Sequence, residues 1–124
     1  MKSFLLVIVA PVVGTIGQMF LKLGMRQIGN ITLLELKNNT LQLILSIISN
    51  PWILIAIPIY TGGFILWLII LSKFNLSFAY PFLALSFIMV PLVSSLILGE
   101  YISLVRWAGF LVIFSGVVII GFSN

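Results

Sequence analysis

The sequence contains no cysteine and no histidine, and only two of its 124 residues are acidic. Without cysteine there is no disulfide framework, thiolate nucleophile or thiolate metal site. Without histidine the chain lacks the commonest metal ligand and the usual proton shuttle. The remaining polar residues form no acid–base constellation, and no phosphate-binding G-x-x-x-x-G-K-[ST] motif occurs. We therefore expect no metal site, no cofactor and no enzymatic activity.

Charge is scarce as well, since 6% of the residues are charged and 62% are hydrophobic. Soluble domains have about 25% charged residues, and the mean hydropathy of +1.35 also indicates a lipid environment. The net charge of +4 suits topology signals and contacts with lipid phosphate better than a nucleic-acid partner. The N-terminal run MKSFLLVIVAP has no A-x-A site after it, so we interpret it as part of an uncleaved first spanning helix.

Four apolar windows reach the length of about 20 residues that a membrane-spanning helix needs. They cover residues 4–25, 51–72, 77–98 and 105–122. The connections at 73–76 and 99–104 are short, so helices two, three and four should be antiparallel neighbours. The prediction is an all-α membrane protein with one four-helix transmembrane domain over residues 1–124.

Between the first two windows lies a segment that is too short to span a membrane. Its apolar residues recur at helical spacing opposite polar ones, as in an amphipathic interfacial helix. The apolar stripe is Leu41, Ile44, Leu45 and Ile48, and the polar stripe is Gln42, Ser46 and Ser49. The alternative is that this segment extends the second helix, but a break at Asn50-Pro51 favours a separate interfacial helix.

Helix one carries a stripe of Gly14, Gln18 and Lys22, which are spaced four apart and share one face. A glycine, an amide and an ammonium on one face could contact an anion. The alternative is that Lys22 extends to the headgroups and Gln18 stabilises helix packing. In the connection between helices three and four, Glu100 and Arg106 predict a surface ion pair.

Helix three repeats small, aromatic and hydroxyl side chains every three or four residues. The set comprises Ser77, Tyr80, Ala84, Phe87, Pro91 and Ser94. Pro91 frees the carbonyl of Phe87, whereas Pro81 lies in the first turns, where proline costs little. We expect a bent helix whose polar-aromatic face forms a substrate path, with kinked packing that has no transport role as the alternative.

Small residues mark two further helices. In helix four, Ala108 and Gly109 lie two turns before Ser115 and Gly116 on one face, and small residues drive helix association in lipid. Because four helices can hardly enclose a pathway, we expect Gly109 and Gly116 to contact a second subunit. In helix two, the Gly62-Gly63 pair predicts either close packing, which we favour, or a bend.

These motifs resemble the drug/metabolite transporter superfamily, in particular its short four-helix members, the EamA-like proteins and the subunits of the aminoarabinose-phosphoundecaprenol flippase. The resemblance covers nearly the whole chain in the right order. Its motifs are GQMFLK (17–22), NPW (50–52), LW (66–67), LSFAYPFLALSFIMVPL (76–92), GE (99–100) and RWAGFLVIFSGVVIIG (106–121). The AYP-x-L-x-L-S block followed by GE is the most specific of them.

Helices one and four also resemble the small multidrug resistance exporters. Those proteins are antiparallel homodimers coupled to protons by a membrane-embedded glutamate in helix one. Alignment on Lys22 places Gly14 where that glutamate belongs, and no spanning window contains another carboxylate. Proton-coupled export of cations is therefore disfavoured, because a carboxylate is both the cation site and the proton site in such exporters.

The resemblance implies a transporter subunit in the bacterial inner membrane that translocates a polyprenyl-phosphate-linked sugar or a similar amphipathic anion between leaflets. It would act as a homodimer, parallel or antiparallel, or as a heterodimer with a similar four-helix subunit. The expected substrate-binding residues are Gln18, Lys22, Ser77, Tyr80, Ser86, Pro91 and Arg106. Alternatives are a metabolite or multidrug exporter of the same fold, and a membrane scaffold for a glycosyltransferase.

Overall fold

Helices occupy all four apolar windows in a computed structural model that describes residues 2–123. In chain order they are α1 (Lys2–Ile28), α2 (Leu33–Asn38), α3 (Thr40–Ile48), α4 (Pro51–Leu71), α5 (Leu76–Phe82), a 3₁₀ turn (Leu83–Leu85), α6 (Ser86–Leu98) and α7 (Leu104–Phe122). Four stretches are long and apolar enough to cross a membrane: Phe4–Ile28, Pro51–Leu71, Leu76–Leu98 and Leu104–Phe122. The predicted all-α fold with four spanning helices is confirmed.

Two short helices, α2 and α3, lie in the connection between α1 and α4 and do not extend either of those helices. Thr32 and Glu35 form a reciprocal capping box that starts α2. At the start of α4, the Asn50 side chain accepts hydrogen bonds from the backbone N–H groups of Trp52 (3.0 Å) and Ile53 (3.4 Å). Because Asn50 caps α4 and Pro51 occupies its first turn, α3 cannot continue into α4. The predicted separate amphipathic helix is confirmed as α3. Its apolar residues are exposed, as contact with a membrane requires.

Helix three is interrupted by a short turn that was not predicted from the sequence. A single 3₁₀ turn at Leu83–Leu85 separates α5 from α6, whereas α6 stays helical through Pro91. Pro81, which lacks an N–H group, lies in the last turn of α5, just before this 3₁₀ turn. The hydroxyl of Ser86 then donates to the Leu83 carbonyl at 2.6 Å. A bent helix three was predicted from the sequence, but this 3₁₀ turn was not.

The tightest packing joins α1 to α4 through glycines. A Cβ atom on Gly24 would lie 2.5 Å from Ile53 Cγ1, and one on Gly17 would lie 2.9 Å from the Tyr60 ring. Next to these contacts the rings of Phe20 and Trp52 stack, with centroids 5.9 Å apart. In the predicted glycine pair of α4, a Cβ atom on Gly63 would meet Val13 at 3.3 Å, while Gly62 faces open space. Only one glycine of that pair serves close packing.

The largest buried cluster lies at the end of the bundle where α1 begins. It consists of Val7, Ile70, Ala79, Phe82 and Val117. The Phe82 ring contacts the rings of Phe78 and Phe4, with centroids 5.1 Å and 5.6 Å apart. By contrast, α7 packs only against α5, the 3₁₀ turn and α6 among the described elements, and most of its side chains are exposed.

The glycine contacts predict a position-specific loss of stability. Gly24→Ala should lower the free energy of unfolding by about 1–3 kcal/mol, because the new methyl group overlaps Ile53 and presses on Asn50. Gly62→Ala adds the same methyl group to α4 where no atom lies within 4 Å, so it should leave stability unchanged or slightly raised. Unfolding of both variants in detergent by titration with sodium dodecyl sulfate measures the difference. Equal midpoints would contradict the close α1–α4 contact.

Candidate functional site

Lys22, near the C-terminal end of α1, forms an ion pair with Glu100 in the connection between α6 and α7. The Lys22 Nζ and Glu100 Oε1 atoms are 3.4 Å apart, and both side chains are about half exposed. The sequence predicted an ion pair between Glu100 and Arg106, and that prediction was wrong. Arg106 is exposed on the first turn of α7 and forms neither a hydrogen bond nor an ion pair within residues 2–123.

Glu100 is held in place by the end of α6 independently of Lys22. Gly99 adopts the left-handed conformation (φ 67°) that terminates the helix, and the Glu100 N–H group donates to the Ser94 carbonyl at 3.4 Å. The Ser94 hydroxyl, itself buried, donates to Glu100 Oε2. This hydrogen bond, more than the charges of Lys22 and Arg26, holds the pKa of the Glu100 carboxyl below its usual value against the opposing effect of burial. Glu100 is therefore a fixed negative charge at neutral pH.

Arg26, one turn beyond Lys22, makes a second connection between α1 and α6. Its Nη2 atom donates to the Leu98 carbonyl at 3.0 Å. Leu98 is the last residue of α6, so its carbonyl has no partner within the helix. Arg26 was not among the site residues predicted from the sequence. The signal was present, however, because Arg26 continues the four-residue spacing of Gln18 and Lys22 on α1.

The two cations line a cavity of about 420 Å³ at this end of α1. Its lining comprises Lys22, Met25, Arg26, Gly29, Asn30 and Ile31. Glu100 is not part of the lining, although its carboxylate pairs with Lys22. A cavity with two cations, an amide and apolar walls at a membrane edge can accept an anionic headgroup.

The other predicted site residues do not join this cavity. Gln18 is exposed on α1 and has no side-chain hydrogen bond in the described part of the chain. Ser77 and Tyr80 lie in the first turns of helix three, at the opposite end of the bundle. Tyr80 precedes Ser94 by 14 positions, about 20 Å at the rise of a helix. The predicted residues are thus spread along the length of the helices.

Helix three places its predicted residues in different surroundings. The exposed Tyr80 ring makes an edge-to-face contact with Trp67, with centroids 6.4 Å apart. The Ser86 hydroxyl is bonded to the backbone, and Pro91 is half-buried within α6. An apolar cavity of about 260 Å³ between α1, α4 and the 3₁₀ turn includes Tyr60 and Trp67, and the sequence analysis did not anticipate it.

Comparison with known proteins identified curated bacterial relatives, each named a probable 4-amino-4-deoxy-L-arabinose-phosphoundecaprenol flippase subunit ArnE. The protein of Pseudomonas fluorescens is 31% identical over 72 residues, which cover 58% of this chain and 63% of the relative. That of Pseudomonas savastanoi is 30% identical over 78 residues, covering 63% and 68%. That of Yersinia pestis is 37% identical over 68 residues, covering 55% and 60%. No family profile and no solved structure matches the chain.

The matched segments thus span between three fifths and just over two thirds of these relatives. Their names agree with the family resemblance that the sequence motifs indicated. Together with four helices able to cross a bilayer, they make the chain a multi-pass protein of the bacterial inner membrane. Its similarity to the Pseudomonas savastanoi protein extends over enough of both chains to decide membership. The chain belongs to the family of the aminoarabinose-phosphoundecaprenol flippase subunit ArnE.

Proposed function

We propose that the chain is a transporter subunit that moves a polyprenyl-phosphate-linked sugar, or a similar amphipathic anion, across the inner membrane. The observation that carries this proposal is the cavity at the membrane edge where Lys22 and Arg26 lie side by side. The relatives are named for a sugar joined to phosphoundecaprenol, whose phosphate needs cationic partners. No enzymatic step is required of the chain, because translocation leaves the bonds of its cargo intact.

The position of the cavity suits a lipid-linked phosphate. The phosphate of such a lipid lies at the bilayer surface, where Lys22 and Arg26 reach the end of α1. Its isoprenoid tail can remain in the hydrocarbon layer against the exposed apolar surfaces of the helices. Only the headgroup must cross, so a partly open path along the helices can replace a closed pore.

Helix three and its neighbours supply groups for such a path. Tyr80 and Ser77 are exposed near the membrane edge opposite Lys22, and Gln18 is exposed one turn deeper than Lys22 on α1. Aromatic faces, hydroxyls and amides are the groups that bind sugars. We propose that these residues contact the headgroup in succession during its passage, with Arg106 as a further cation at the Lys22 edge. Ser86 and Pro91 shape helix three between the two edges.

The exposed face of α7 supports assembly with a second four-helix subunit. A Cβ atom on Gly109 or on Gly116 would meet no atom within 4 Å, so both glycines are open to a partner helix. Glycines of this kind allow close helix contact in lipid. A second subunit, either another copy or a similar chain, would cover this face and help to enclose the path.

Lipid retention by the purified protein tests the proposed function. Native mass spectrometry in detergent, with added undecaprenyl phosphate or undecaprenol, compares two ligands that share a tail and differ in the phosphate. We expect selective retention of undecaprenyl phosphate, also over phosphatidylglycerol at equal concentration. Equal retention of the phosphate and the alcohol would overturn a phosphate-recognising role.

The exporter alternative makes a different prediction. The only two carboxylates of the chain, Glu35 and Glu100, lie outside the four spanning stretches. Expression of the protein should therefore leave ethidium accumulation in cells unchanged, because no embedded carboxylate can exchange a proton for a cation. Fluorescence of ethidium-loaded cells, with and without a proton uncoupler, measures this. Efflux that depends on the proton gradient would favour the multidrug exporter.

A further inference from the structure

The Lys22 ammonium has two possible anionic partners. Lys22 lines the cavity together with Arg26, where a ligand anion could bind, and its Nζ atom lies 3.4 Å from the Glu100 carboxylate. An ammonium that is fully engaged by Glu100 is less available to a phosphate in the cavity. The structure thus contains an anion already paired with the cation that the proposed substrate needs.

Glu100 does not depend on Lys22 for its position. Its two carboxylate oxygens have different partners, because Oε1 faces Lys22 and Oε2 accepts the hydrogen bond from Ser94. The backbone bond to Ser94 and the left-handed turn at Gly99 fix the same segment. A ligand can therefore remove Lys22 from Glu100 without leaving the carboxylate unbonded, and the carboxylate stays near enough to take Lys22 back.

We propose that Glu100 competes with the phosphate of the ligand for Lys22, so that loading exchanges one anion for the other. This inference rests on the proposed function and deepens it by assigning a role to Glu100 at the same site. The ligand chemistry is a phosphate ester carried on a lipid. Competition lowers the affinity and keeps the site reversible, and carriage requires a ligand that is released as well as bound.

Replacement of Glu100 by the ligand phosphate as the partner of Lys22 also changes how α1 is connected to the end of α6. The Lys22–Glu100 pair and the Arg26–Leu98 hydrogen bond are the two polar connections between α1 and the end of α6 within the described residues. Loading breaks the first connection and leaves the second in place. The occupied site therefore differs from the empty one in how firmly the α6–α7 connection is held to α1.

Replacement of Glu100 with glutamine provides the test. Glu100→Gln keeps the size of the side chain and removes its charge, so Lys22 loses its competing partner. An exposed ion pair is weak, so the affinity for undecaprenyl phosphate should rise by about two- to fivefold in a detergent-solubilised titration. Glu35→Gln is the matched control, since it removes the other carboxylate of the chain, which is bonded to Thr32 and not to Lys22. It should leave the affinity unchanged.

The same substitution in a Lys22→Gln protein separates competition for Lys22 from general repulsion between the Glu100 carboxylate and the phosphate. If Glu100 acts through Lys22, Glu100→Gln should give no gain in a Lys22→Gln protein. If the carboxylate merely repels the phosphate, the same gain persists in that background, and this result would overturn the proposal. An affinity of Glu100→Gln at or below that of the wild type would overturn it as well.

Further measurements in the same titration distinguish a lipid phosphate from free phosphate as the ligand. They also distinguish failure of the proposed function from failure of the role assigned to Glu100. Inorganic phosphate at the same concentration should fail to displace undecaprenyl phosphate, and displacement would overturn the assignment to a lipid. Absence of undecaprenyl phosphate binding to the wild type would remove the proposed function together with the role of Glu100. Normal wild-type binding with no effect of Glu100→Gln would remove the role of Glu100 alone.

Discussion

Lys22→Gln is expected to weaken the binding of undecaprenyl phosphate by about ten- to a hundredfold. The substitution removes a charge-assisted contact worth about 1.5–3 kcal/mol, at about 1.4 kcal/mol per tenfold change in affinity. Because Lys22 is half exposed, the protein should still be expressed and inserted. Lys22→Arg should retain part of the binding, since the charge survives while the geometry of the donor group changes.

The control for this experiment is Lys37→Gln. Lys37 lies on the exposed helix α2, so its replacement changes the net charge equally without touching the cavity. Native mass spectrometry of the wild type and the three variants gives the retained fraction of lipid. Equal retention in all four proteins would mean that Lys22 only extends to the lipid headgroups and does not bind the ligand. Arg26 and Arg106 would then be the candidate phosphate contacts.

If the chain assembles as the proposed dimer, simultaneous replacement of Gly109 and Gly116 with leucine is expected to convert that dimer into monomers. The two new side chains project from α7 into space that no atom of the same chain occupies within 4 Å of the Cβ positions. They should therefore spare the fold of the subunit while separating two closely packed helices. Helix pairs in lipid depend on such close packing, so the loss should be large.

Gly62→Leu is the matched variant on another helix. It also adds a leucine at an open glycine within a spanning stretch, but on α4. Light scattering coupled to size-exclusion chromatography in detergent reports the mass of each protein. We expect a dimer for the wild type and for Gly62→Leu. A dimer that persists in the Gly109→Leu/Gly116→Leu protein would place the interface elsewhere than on α7.

The local features of the fold could be predicted because they depend on neighbouring residues. Spanning length follows from the apolar windows, and the start of α4 follows from the Asn50-Pro51 pair, which caps one helix and ends another. The amphipathic helix α3, which precedes α4, follows from the helical spacing of its apolar residues alone. Each of these signals lies within a few residues of the structure that it determines.

The candidate site was harder to predict because it joins distant parts of the chain. Arg106 is close to Glu100 in sequence, yet Glu100 pairs with Lys22. This pairing arises because α1 packs against α6 and because α6 ends at the left-handed Gly99, just before Glu100. The 3₁₀ turn in helix three was also not predicted. Pro81 and Pro91 both lack an N–H group, yet the turn follows Pro81 closely, whereas α6 stays helical through Pro91.

The interruption at Leu83–Leu85 is a place where helix three could bend without exposing an unbonded carbonyl to lipid. A backbone carbonyl left unbonded in hydrocarbon costs several kcal/mol, which normally keeps spanning helices stiff. Here the Ser86 hydroxyl already bonds the Leu83 carbonyl, so a swing of α5 relative to α6 need not expose that oxygen to the bilayer. The close contacts at Gly17 and Gly24 hold α1 against α4 beside this turn. If the chain carries its ligand between leaflets as proposed, α5 and the helix α7, which packs against it, are the elements that could rock between the two leaflets.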